Sequence, residues 1–412
     1  MRFAKISLLP LLVCCVTPSR ATESFISPEV DNTEAADSIA PTLQRRDTLD
    51  YDPQRPSLVA DVFEPYRAWR NRLHNKLRLE TVYTYDVLGQ GLADGSTTLG
   101  ASSGEVAVSA RWLMFGHRRH RPVYLSVRIR DRHAYSDRAP AAISATGGLL
   151  WKTVDGFSDA GFQIPDFHIN QELADGRLTL RYGQFGIDAL FDTHRLRSAK
   201  RYFLNYAFSN NPSVAFPGFG AGFVVQWKDA GWDFSLGGSN IQGTDSSRQV
   251  DLSLDSAALF YTLQGGYNFS GLGGHDARIQ LMGWQSQNNS EESLEDGSGA
   301  SVTLEQEGGD RGEHIVVRYA SSRGTASPVD RLLMLGWGRE IRKYDHLGAG
   351  LGVGRSAQHG NNWQGVAEIY FRWQATKELM ITPDLQLIVG DGERSDNNDV
   401  RIVAGIRAGI TF

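Results

Sequence analysis

Cysteine is nearly missing from this sequence. Of 412 residues only two are cysteines, Cys14 and Cys15, both near the start. Long apolar runs are missing as well. After the first residues nothing approaches the roughly 20 consecutive apolar positions that a transmembrane helix needs. Mean hydropathy is −0.32. These absences exclude a disulfide scaffold and a helical membrane protein. They leave a membrane barrel open, because alternation dilutes the apolar residues of its strands. No repeat of about 40–50 residues is visible, which argues against a soluble propeller.

The start reads as a secretory signal over residues 1–21. Arg2 and Lys5 form a charged region, Ile6–Val16 a short apolar run, and Ser19-Arg20-Ala21 a cleavage site with small residues at both key positions. Val13 and Cys14, which precede the two cysteines, are too large for a lipoprotein site. Cleavage after Ala21 removes both cysteines, and with them any disulfide or thiol chemistry. It also removes Arg2, Lys5 and Arg20, so net charge moves from −5 to −8. Residues 22–61 are polar and aperiodic, which predicts a flexible periplasmic segment. Residues 62–75 differ. Phe63, Tyr66, Trp69, Leu73 and then Leu77 recur every three or four residues among Arg67, Arg70 and Arg72. That spacing predicts an amphipathic helix, plugging the periplasmic mouth, lying at the membrane surface, or packed on the barrel end.

From residue 76 the period is two. Alternation recurs at Lys76–Asp86, Glu105–Trp112, Val123–Arg132, Asp166–Leu173, Arg177–Gln184, Ala221–Lys228, Trp232–Gly238, Asp255–Asn268 and Ala277–Gln285. It continues at His314–Ala320, Arg331–Arg339, Leu347–Gly354, Trp363–Gln374, Leu379–Val389 and Asp399–Phe412. This is an odd number, whereas a bacterial barrel normally has an even one. A weak strand at Ala300–Gln306 restores parity. The fold class is therefore an all-β, transmembrane antiparallel barrel of about 16 strands over 76–412, the size that leaves an aqueous channel. Short turns such as Ala174-Asp175-Gly176 then fall on the periplasmic side. The long connections, chiefly His133–Pro165 and Phe185–Gly220, fall outside.

The strand at Val123–Arg132 is the most informative. Val123, Leu125, Val127 and Ile129 point one way; Arg128, Arg130 and Arg132 point the other. An arginine facing lipid at the midplane costs about 2–4 kcal/mol, so these must face water or the lumen. Arg78, Glu80, Arg111, Glu105, His168, Glu172, Arg177, Arg181, Arg318, Glu368, Asp384, Gln386, Arg401 and Arg407 fall on polar faces too. Such donors and acceptors suit polyhydroxylated or anionic solutes, although most of these residues could simply solvate a wide lumen. The long connection after Gln184 carries His194, Arg195, Arg197, Lys200, Arg201, Tyr202, Phe203 and Tyr206. Folded inward, it narrows the pore with basic and aromatic groups; otherwise it is an exposed lid or meets lipopolysaccharide phosphates.

Other motifs carry less. The glycines of Gly348–Gly354 alternate strictly, which is a strand with a bare face rather than a nucleotide loop. His117-Arg118-Arg119-His120 sits in a short turn without carboxylate or thiol support for a metal. Asp391, Glu393, Asp396 and Asp399 read as a solvated acidic loop rather than a calcium site. No spacing marks a Ser–His pair. No cofactor, metal or nucleic-acid partner is expected.

Several ordered motifs resemble the carbohydrate-selective (OprB-type) porins of Gram-negative outer membranes. Leu379–Ile388, with I-T-P-D-L-Q at Ile381–Gln386, is similar to their penultimate strand, with Glu368–Trp373 before it and Gly405-Ile406-Arg407 and Phe412 after. Glu172-Leu173, Asp175–Leu178, Gly183-Gln184, Phe203–Asn205, Asn211-Pro212, Phe216-Pro217, Gly222 and Trp227 resemble the family's middle. Trp69–Leu73 followed by Tyr83–Gly89 resembles its start. The resemblance implies a sixteen-stranded barrel, passive sugar uptake, and selectivity from lumen arginines, carboxylates and aromatics. By position it points to Arg128, Arg130, Glu172, Arg177 and Arg181. Val123–Tyr135 is richer in arginine than the family pattern, which extends the expected solutes to sugar acids and other anions. The site set is therefore Arg78, Glu80, Arg128, Arg130, Arg132, Glu172, Arg177, Arg181, Arg195 and Arg197, in an outer-membrane porin contacting lipid and lipopolysaccharide, with a homotrimer possible. The alternatives are a general anion-preferring porin, a barrel enzyme acting on lipid, and a structural barrel plugged by its helix.

Overall fold

The computed structural model describes residues 60–94, 98–116, 121–241, 248–253, 258–287, 296–308, 312–358, 362–390, 392 and 400–411. The signal, the segment before residue 60, His117–His120, and Asp391, Glu393, Asp396 and Asp399 lie outside the described residues.

Among the described residues sixteen strands form one closed antiparallel barrel. They are β1 (Leu79–Ala93), β2 (Thr98–Phe115), β3 (Val123–Ala134), β4 (Gly161–Leu173), β5 (Leu178–Phe185), β6 (Gly220–Asp229), β7 (Trp232–Asn240) and β8 (Leu259–Ser270). Then follow β9 (Asp276–Ser286), β10 (Gly297–Gly308), β11 (Glu313–Gly324), β12 (Val329–Arg342), β13 (Asp345–Ser356), β14 (Trp363–Gln374), β15 (Leu379–Gly390) and β16 (Val400–Thr411). Each pairs with its neighbour in sequence, and β1 pairs with β16, Tyr85 opposite Ile410 and Gly89 opposite Ile406. Closure satisfies every strand edge, which a bilayer requires.

The weak strand inferred from parity is β10, hydrogen-bonded to both β9 and β11. Its apolar signal is faint because Ser301 and Thr303 face inward and are bonded to a loop side chain.

The period-two pattern sorts the side chains. On β16, Ile402 and Ile406 are exposed, whereas Arg401, Val403 and Arg407 are buried. Leu263, Leu281 and Leu351 are each about 60% exposed. A continuous apolar surface of this extent far exceeds what water tolerates, so it is a lipid face. Exposed aromatics ring it near both ends: Trp112, Trp227, Trp232 and Trp373 at one, Tyr135, Phe162, Tyr261 and Trp363 at the other. Such girdles mark the two membrane interfaces.

Helix α1 (Ala60–Leu77) leads into β1. Its Tyr66 ring meets Tyr83 of β1 edge-on, with centroids 5.3 Å apart. Arg78 turns the chain between the two elements in the left-handed region (φ 54°).

Two connections from the end opposite α1 enter the barrel. The longer, 186–219, buries Phe191, Leu196, Phe203, Leu204 and Phe208 completely or nearly so. The other, 135–160, buries Trp151, Val154 and Phe157. Backbone bonds join them: Tyr206 N–H donates to Lys152 O (3.0 Å) and Asp155 N–H to Leu204 O (3.1 Å). The bare face of β13 now has a reason. A Cβ at Gly350 falls 2.8 Å from the Phe208 ring, and one at Gly354 collides with the Trp151 ring. The loop aromatics occupy the space that side chains would take. Gly350→Leu is therefore expected to lower stability by about 1–3 kcal/mol, as overpacking does. Thermal unfolding of purified barrels checks this; an unchanged midpoint would show that the loop does not press on β13.

Candidate functional site

The packed loops divide the lumen. One apolar cluster, including Trp151, Phe203, Phe208, Val366 and Val403, fills the side toward β11–β16. A second, including Phe191, Val224, Phe260 and Trp284, fills the side toward β6–β9. Between the loops and the β2–β5 wall is a cavity of about 400 Å³.

Strand alternation builds its wall. Arg111 from β2, Ser126, Arg128, Arg130 and Arg132 from β3, Asp166, His168, Asn170 and Glu172 from β4, and Arg181 from β5 all line it. The loops supply Lys152, Asp155, Asp188, Lys200, Tyr206, Asn210, Phe216 and Phe219. Seven cationic side chains thus line the cavity with four carboxylates.

Polar contacts and aromatic rings orient the cations. Arg130 Nε donates to Gln163 Oε1 (2.7 Å), and Arg181 Nε to Asn170 Oδ1 (2.6 Å). Arg111 lies 3.6 Å from Glu172 and stacks over Tyr124. Arg130 lies over Phe219, with its guanidinium carbon 4.6 Å from the ring centroid. An aromatic face shields one side of a guanidinium without cancelling its charge.

The expected site residues divide into two groups. Arg128, Arg130, Arg132, Glu172 and Arg181 come together at the cavity. The other five lie elsewhere. Arg78 is in the turn between α1 and β1, and Glu80 lies 3.7 Å from His74 of the helix. Arg177 is exposed in the turn after β4, 3.8 Å from Asp229. Arg195 reaches across to β10, its backbone N–H bonded to Glu305 and its guanidinium to Glu307. Arg197 is buried within its own loop, donating to Ser209 O and paired with Asp188 at 2.9 Å.

Residues absent from that set prove central. Buried Glu105 of β2 contacts Arg128 (3.2 Å), Arg130 (3.9 Å), Arg132 and loop residue Lys200. Its signal was available, since a short connection between β2 and β3 sets it opposite Arg132. Other inward polar groups hold the loop rather than face water. Arg318 donates to Asp192 O and Asn210 O (both 2.7 Å) and lies 3.2 Å from the Asp192 carboxylate. Glu368 accepts the Asn205 N–H (3.0 Å), and Gln386 accepts from the Asn205 side chain (2.9 Å). Arg407 donates to Tyr202 O (3.1 Å) and Ala199 O. In the loop, burial and the nearby guanidiniums of Arg318 and Arg197 hold His194 well below the usual imidazole range. The neutral ring donates from Nε2 to Phe208 O (2.9 Å).

A closed sixteen-strand barrel with an apolar belt, two aromatic girdles and loops folded over a polar lumen is the fold of an outer-membrane porin. Comparison with known proteins narrows this. Residues 226–412 match the family described as carbohydrate-selective porin, OprB family. Pseudomonas putida OprB, in its high-pH structure, superposes with a TM-score of 0.70 at 15% identity, covering 84% of this chain and 97% of that one. OmpT of Vibrio cholerae gives 0.51 at 9% identity, covering 81% and 97%. At these identities the structural likeness is one of fold. No curated protein matches the sequence. The sequence match and the fold together bear out the resemblance to OprB-type carbohydrate-selective porins, and they support an outer-membrane sugar porin.

Proposed function

We propose that this chain, exported by its signal, lets sugars and sugar acids diffuse down their gradient across a Gram-negative outer membrane, past the β2–β5 wall. The observation that carries the reading is the cavity itself. Guanidiniums, amides, hydroxyls and carboxylates converge there with Tyr206, Phe216 and Phe219, inside a barrel of carbohydrate-porin type. A solute can exchange its water for these donors and acceptors and leave again, because no single contact dominates. Aromatic rings suit the apolar faces of sugar rings. The reading needs no energy source and no reacting group. Liposome swelling tests it. Monosaccharides and their acids should enter quickly, with a steep fall beyond disaccharides. Rates equal for all solutes of one size, whatever their chemistry, would instead indicate an unselective pore.

A further inference from the structure

The arginines of β3 pose an electrostatic problem that the porin reading leaves open. Arg128, Arg130 and Arg132 project from one face of one strand, and Lys200 comes down on them from the inward loop. Left alone, this group would repel itself and fill the passage with anions. All four cations converge instead on Glu105, whose side chain is only 1% exposed. Asp86 of β1 adds a second carboxylate 3.3 Å from Lys200. Counting these two with the four at the cavity surface nearly balances the seven cations.

We infer that Glu105 is the specificity-determining residue of the passage: it sets the charge that a solute meets there, and it fixes the inward loop against the wall through Lys200. It is a positioning residue, since the groups that reach the solute are the cations it gathers. The arrangement makes a wall of arginines usable by neutral sugars. The guanidiniums keep their hydrogen-bond donors, while the buried carboxylate cancels much of their field. This inference rests on the reading of the cavity as the solute path.

The test is the reversal potential of single channels in a potassium chloride gradient, with glucose block measured in the same channels. Glu105→Gln is expected to raise the anion-to-cation permeability ratio about three- to tenfold, the effect of one charge about 5 Å from the path. Glu105→Asp should stay near the wild type, which a purely steric role would not ensure. Lys200→Gln removes one of the four gathered cations and leaves Glu105 in place, so it should shift the ratio the other way, toward cations. The Lys200 variant also serves if Glu105→Gln alone fails to assemble. An unchanged ratio in Glu105→Gln, or in Lys200→Gln, overturns the inference. A shifted ratio in channels that no sugar blocks would keep the role of Glu105 and remove the sugar reading instead.

Discussion

Replacing Arg318 by alanine is expected to free the inward loop and open the pore. Arg318 is fully buried on β11 and holds the loop at three points: Asp192 O, Asn210 O and the Asp192 carboxylate. Asp192 in turn accepts from Ser301 (2.8 Å) and Asn211 (2.6 Å), and its N–H donates to Gln264 (2.8 Å). Removing the cation leaves that carboxylate buried without its charge partner, and breaking a buried pair costs about 3–5 kcal/mol. The barrel wall has its own hydrogen-bond ladder, so the loss falls on the loop. Single-channel current should become larger and noisier, and thermal unfolding should begin earlier. Arg318→Lys keeps the charge but loses the fork, so it should fall between the two. Wild-type conductance and stability in Arg318→Ala would mean that this network does not hold the constriction.

The second large effect is expected at the wall. Arg128→Ala with Arg130→Ala takes two cations from the cavity and leaves Glu105 with Arg132 and Lys200. Reversal potentials should shift toward cations, with a permeability ratio changed about tenfold, as two unit charges near a water-filled path would do. Sugar block should weaken as well, because Arg130 also carries the ring contact to Phe219. An unchanged reversal potential removes both residues from the solute path.

These two sites show what could and could not be seen in the sequence. The strands were legible because a period of two is a local property, and β10 followed from parity although its own pattern is faint. The inward face of each strand was legible for the same reason. What faces that side was not. Arg318, Glu368, Gln386 and Arg407 carry the polarity of lumen residues, yet they bind loop backbone and loop amides rather than water. Those partners lie more than 100 residues away, beyond any local pattern. The alternating glycines of β13 signalled an empty face, but the Phe208 and Trp151 rings that fill it come from two distant loops. Arg195 and Arg197 illustrate the converse. Their loop could be read as basic, while the direction of each side chain depends on where the loop crosses the barrel.

Charge balance was hidden in a different way. Reading β3 alone gives three arginines, which extends the expected solutes from sugars to sugar acids and other anions. Reading β3 against β2 in register brings Glu105 opposite Arg132 and adds a carboxylate that the arginines share. The family match over residues 226–412 and the proposed role of the cavity built by the first half of the chain point to the same class of solute.

The most direct measurement is block of single-channel current by added solute. With wild-type protein in planar bilayers, glucose and gluconate added in turn should each reduce the current in a saturable way, and block should weaken in the variant lacking Arg128 and Arg130. A current that neither solute reduces at any concentration contradicts a carbohydrate path along the β2–β5 wall.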